Sequence, residues 1–143
     1  MDLTHIAERL RERLAALNLR EIEEAAGLDA AISGNLASPA VYVIALSERG
    51  RQLEHTGEVD QWEERVFGVL QVTDTVGRTS APDAATFAAL RAAVKRALIG
   101  WVPDENTGEP VTFLGGELIQ LEGDGRMWWS DEFSFTGYFR SNQ

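Results

Sequence analysis

Histidine is the side chain best suited to moving protons or holding a metal near neutral pH. The sequence has two, His5 and His55. Neither belongs to an H-E-x-x-H pair or any other paired metal spacing. His5 falls in the first turn of an amphipathic segment and His55 in a polar stretch, so both read first as solvated side chains. With Glu54 and Glu58, His55 makes at most a weak metal patch, since carboxylates close in sequence are common in loops. The chain has no cysteine. That removes disulfide scaffolds, Cys-ligated zinc, iron–sulfur clusters and cysteine nucleophiles together. The adjacent acids Glu23-Glu24, Glu63-Glu64 and Asp131-Glu132 sit in strand-like segments. Neighbours on a strand point to opposite faces, so these pairs make no carboxylate dyad by themselves. No dinucleotide, P-loop or nucleophile-elbow glycine motif occurs. Gly115-Gly116 and Gly123-Asp124-Gly125 open no helix, so they lack the amides that cradle a phosphate. No catalytic residue, cofactor or metal ligand is expected.

The tryptophans say more. Trp62, Trp101, Trp128 and Trp129 all stand at element ends or beside loops. Ordinary packing accounts for most such residues. The sharper reading makes one or two of them interface anchors, where Trp is enriched. If the Trp128-Trp129 segment is a regular strand, the two rings point to opposite faces.

Seven stretches read as helix or strand. Leu3, Ile6, Leu10, Leu14 and Leu17 give an amphipathic helix, with Asp2 or Thr4 at its start and Asn18 as its stop. Arg20 to Ala25 reads as a charged edge strand. After a connector over Gly27–Asn35, Ala40 to Leu46 reads as a central strand. From Trp62 to about Val76 the residues alternate, with Phe67, Val69 and Gln71 on one face and Gly68, Leu70 and Val72 on the other. Phe87, Leu90, Val94 and Leu98 mark a second helix. It is capped by Ser80, with Pro82 in its first turn, and ends before Gly100 and Pro103. Val111–Leu121 reads as a strand broken by Gly115-Gly116, then a hairpin turn and a last strand from Met127 to Phe139. The polar stretch Ser47–Asp60 reads as a long loop, as does Val102–Pro110.

At 143 residues and 44% hydrophobic content the chain is long and apolar enough for one domain over residues 1–143. The order of elements gives an α+β two-layer sandwich, a mainly antiparallel sheet with two amphipathic helices packed on one face. Apolar residues on both parities of several strands leave the other face partly apolar, which points to self-association. The net charge of −10 is spread along the chain, and no basic patch stands out for nucleic acid. No apolar run approaches the ~20 residues of a membrane span, and no leader is visible at Met1.

The ordered set of signals resembles the tail terminator (tail completion) proteins of long-tailed bacteriophages. An N-terminal amphipathic helix precedes Pro39-Ala40-Val41-Tyr42-Val43. A long strand, Val66 to Val72, follows a polar loop. Leu98-Ile99-Gly100-Trp101-Val102-Pro103 looks like the family's helix-ending L-x-G-W-x-P segment. Phe113-Leu114-Gly115-Gly116-Glu117-Leu118 looks like its F/Y-x-G-G-x-L strand. The resemblance covers essentially the whole chain. It implies a non-enzymatic protein that forms a six-membered ring on the completed tail tube, stops tube polymerisation and docks the head connector. Its partners would be further copies of itself, the tail tube protein and the connector, with DNA passing through unbound and no membrane. It would assemble in the host cytoplasm and end in the virion tail. The assembly contacts expected on this reading are Arg49, Arg51, Glu54, His55, Trp62, Trp101 and Trp129. The other readings are a different head–tail joining or tube protein, or a small acidic hydrolase or ligand-binding domain with a closed polar pocket.

Overall fold

The computed structural model describes residues 1–34, 37–52, 61–76, 81–82, 84–105, 107–122 and 125–139. Helix α1 spans Thr4–Arg13. The Asp2 carboxylate accepts the Thr4 N–H at 2.9 Å, and that hydrogen bond holds its pKa below the ordinary value. Leu3, Ile6, Leu10 and Leu14 of the stripe read from the spacing are buried, with Ala7 beside them, but Leu17 lies beyond the helix in the next turn and is exposed. A 3₁₀ turn over Ala15–Leu17 follows and ends at Asn18, whose φ of 52° lies in the left-handed region. Asparagine tolerates that conformation better than most residues.

Strand β1 is Glu21–Glu24, helix α2 is Leu28–Gly34, strand β2 is Ala40–Gln52 and strand β3 is Gln61–Val76. A two-residue β4, Ala81–Pro82, pairs with the end of β3. Helix α3 is Ala84–Leu98, and the long hairpin of β5, Thr112–Glu122, with β6, Arg126–Phe139, closes the fold. The sheet runs β1-β2-β3-β6-β5. All neighbours are antiparallel except β1 and β2. That parallel pair needs a crossover, and α2 lies within it.

The sheet has two apolar faces. On the first, Val41, Val43, Phe67, Val69, Phe133 and Phe135 pack under α1 and α3. On the second, Ala40, Tyr42, Ile44, Leu70, Val72 and Trp128 pack with Ala31, Leu28 and Ile32 of α2. The α+β class, the two amphipathic helices on one face and the strand parities agree with the sequence. The connector expected over Gly27–Asn35, with room for one helical turn, holds the seven-residue helix α2, which packs on the second face.

One further departure has a local cause. The loop expected over Ser47–Asp60 is strand as far as Gln52, because Ser47 to Gln52 pair residue by residue with Val66 to Gln61. The register slips at Leu46, between Ala45 and Ser47. The Gly115-Gly116 irregularity is real, with the slip at Leu114, and a second slip falls at Ile119. The expected cap Ser80 and the turn residues Gly123-Asp124 lie outside the described residues.

Candidate functional site

Three clusters of polar and aromatic side chains stand out. The first lies at the end of α3. Gly100 takes a φ of 85° and donates its N–H to the Val111 carbonyl at 3.0 Å. A glycine is needed there, since a left-handed φ strains residues with a Cβ. Val111 N–H returns to the Trp101 carbonyl at 2.8 Å, so the two hydrogen bonds pin the chain at Gly100-Trp101 to Val111. Trp101 is half-buried against the first core. The Arg9 guanidinium lies 4.7 Å over its ring, and His5 is 5.8 Å away. Arg9 Nε also donates to the Ala97 carbonyl at 2.6 Å. Trp101 is thus an anchor within the chain that ties α1 to the end of α3. Trp101→Ala is expected to cost about 2 kcal/mol in chemical denaturation, below the ~3–5 of a fully buried aromatic. A loss under ~0.5 kcal/mol would show that the ring contributes nothing to folding.

The second cluster centres on Asp131, which is fully buried on the helix face of β6. Its carboxylate accepts four N–H groups. Arg91 of α3 gives two, at 3.0 and 2.7 Å, Gln71 Nε2 gives one at 2.6 Å, and Trp129 Nε1 gives one at 3.0 Å. The Arg91 guanidinium also lies 4.7 Å over the Trp129 ring, whose edge meets Phe87 at 5.4 Å. Gly116 on β5 stands directly opposite Asp131. A Cβ there would overlap Asp131 Oδ1 and crowd the Arg91 and Trp129 nitrogens. Of the glycine pair in the sequence, Gly116 therefore makes room for a buried ion pair, while a Cβ on Gly115 would meet nothing within 4 Å. Sequence reasoning missed this cluster. Its signal was an acid standing in the apolar row Trp129, Phe133, Phe135.

The third cluster lies on the second face of the sheet, beyond the reach of α2. Arg49, Arg51, Trp62, Glu64 and Thr136 line an open groove. Arg49 is paired with Glu64 and Arg51 with Trp62 in the β2–β3 register. Trp62 packs edge-on against Tyr138 at 5.6 Å. Both arginines are exposed and stand on a strand, not in a loop. On the same face, at the far edge of the sheet, Glu117 and Glu132 line a second depression with Gly115, Gly116 and Ser130. Nearer β1, Tyr42 donates its hydroxyl to Glu21 Oε2 at 2.6 Å, and burial together with that bond pushes its pKa up.

Of the residues expected to make assembly contacts, Arg49, Arg51 and Trp62 come together. Trp101 and Trp129 lie apart from them on the helix side, and Glu54 and His55 lie outside the described residues. Among the described residues no group of three His, Asp or Glu could hold a metal ion, and no helix is long and apolar enough to cross a membrane.

These features define an α+β sandwich with an open-edged, mainly antiparallel sheet. A family model described as "Phage tail terminator protein" matches residues 1–143, and the chain belongs to that family. Its role is structural, in a phage-type tail. Among solved structures, a chain of "Virion of native gene transfer agent (GTA) particle" is 20% identical, over 94% of this chain and 92% of that one, with a TM-score of 0.51. At that identity the likeness is one of fold. No curated protein matches.

Proposed function

We propose that this chain, folded as one domain, is the protomer of a six-membered ring that caps a finished tail tube, stops its growth and offers the docking surface for the head connector. The observation that carries the reading is the family match over all 143 residues. The architecture supports it. A closed ring of identical subunits needs two unlike surfaces that fit each other head-to-tail, and the sheet ends in two unlike edges. The role involves no catalysis. Assembly takes place in the host cytoplasm, from which the ring passes into the virion tail. The acidic balance of the chain suits a ring through which DNA moves without binding.

Native mass spectrometry over a concentration series, with negative-stain images, tests the proposal. A discrete six-membered assembly, alone or on the ends of purified tail tubes, is the expected result. Open-ended cylinders would identify a tube subunit instead. A monomer that leaves tube length and tube ends unchanged would overturn the reading.

A further inference from the structure

The two edges of the sheet differ in a way that selects a partner. On one side β1 covers only Ala40 to Val43 of β2. Beyond it, among the described residues, the outer edge of β2 from Ile44 to Gln52 has no strand beside it. That stretch carries Leu46, 43% exposed, and the exposed guanidinium groups of Arg49 and Arg51. On the other side β5, Thr112–Glu122, is the terminal strand among the described residues. It carries Leu114 and Leu118, 53% and 49% exposed, and Glu117, with Glu132 beside it on β6.

The register puts both charge pairs on one face. Arg49 is level with Glu64, and Glu64 with Thr136. Glu117 is level with Ser130, the neighbour but one of Glu132 and Trp128 on the second face. We infer that the Ile44–Gln52 edge of β2 is the docking surface for the β5 edge of a second copy of this chain. The pairing sets Arg49 and Arg51 against the partner copy's acidic pair. The inference rests on the ring reading and supplies its contact.

Four features favour this occupant. Among the described residues no strand pairs with the outer side of residues 44–52 of β2 or 112–118 of β5, and two such edges can satisfy one another's amides and carbonyls. The β2 edge runs antiparallel to the β5 edge that a head-to-tail copy presents, because β2 and β6 run the same way and β5 opposes β6. The charges on the shared face are opposite in sign. The offset also suits closure. Setting Arg49, level with Thr136, against Glu117, level with Ser130, of the next copy displaces successive copies along the strands by six residues, about 20 Å at ~3.3 Å per residue. Each copy adds four strands, about 19 Å at ~4.8 Å apiece. A ring built this way tilts its strands by about 45°, close to the ~35–45° of closed sheets.

The absence of cysteine gives a clean test. Arg51→Cys and Glu117→Cys are placed in one chain and treated with a short bis-maleimide. The expected product is a ladder of covalent oligomers under denaturing conditions that ends at the six-chain species. Each single variant is expected to stay uncoupled. Dimers from either single variant would mean that like edges meet, and would overturn the inference. So would a double variant without a ladder while native mass spectra still show rings, a result that leaves the ring reading intact. A ladder with no end would keep the edge contact and overturn the ring. Charge reversal gives a second readout. Arg49→Glu with Arg51→Glu in one chain, and Glu117→Arg with Glu132→Arg in another, should each raise the concentration for half-assembly about tenfold or more. The two variants mixed should assemble in alternation, with equal numbers of each chain. A mixture no better than its parts overturns the pairing.

Discussion

Asp131→Ala is expected to lower folding stability by about 3 kcal/mol, near the low end for breaking a buried ion pair, with a fall in Tm of roughly 10 °C. The carboxylate is the sole acceptor for two Arg91 nitrogens, the Gln71 amide and the Trp129 indole in the described hydrogen bonds. Without it, four donors lose their acceptor at once. Arg91 is 24% exposed, so water relieves part of its charge, which keeps the cost from the top of the range. Gln71 is fully buried and has no such relief. The measurement is urea or thermal unfolding of the variant against the parent chain. Gly116→Ala should act on the same cluster from the other side, because the added methyl takes the place of Asp131 Oδ1. The two substitutions together should cost clearly less than their separate losses summed, since each disrupts one arrangement. Full additivity, or a loss below ~1 kcal/mol for Asp131→Ala, would show that the network holds nothing together.

The legible part of the fold was the part with a strong period. The two parities of β3 and β6 face two different cores, so apolar side chains recur on both, and the β-branched and aromatic run survives in sequence. The α1 and α3 stripes are legible for the same reason at helical spacing. Ser47 to Gln52 was not legible as strand, because Ser-Glu-Arg-Gly-Arg-Gln has neither alternation nor β-branched side chains. Pairing with β3 holds it extended, and a pairing is a property of two segments. Helix α2 buries only Ala31 fully, too little for a periodic signal. Arg49, Arg51 and Trp62 were named as separate candidates in a loop and at a strand end. Only the register unites them, and only the topology shows that Glu117 and Glu132 share their face. The Asp131 cluster joins α3, β3 and β6, three segments far apart in the chain, and no local spacing encodes it.

Trp128→Ala is expected to cost about 4 kcal/mol, more than Trp129→Ala at about 2. The neighbours differ because a strand turns them to opposite faces. Trp128 is fully buried on the second face, stacked on Tyr42 with centroids 6.1 Å apart and planes 24° apart. Around it lie Ala31 of α2, Leu70 and Val72. Removing the ring leaves a cavity that these neighbours, fixed in a paired sheet, close only in part. Trp129 lies half-exposed on the helix face, and its loss removes one hydrogen bond to Asp131 and the contact with Arg91. If the order of the two losses were reversed, the second face would be a loosely filled surface and α2 a dispensable cover. The β2 edge leans on that core through Ile44, so Trp128→Ala should also loosen the strand that carries Arg49 and Arg51. Amide hydrogen exchange over residues 44–52 reads this directly. Faster exchange there in Trp128→Ala but not in Trp129→Ala would tie the packing of the second face to the edge that receives a neighbouring copy.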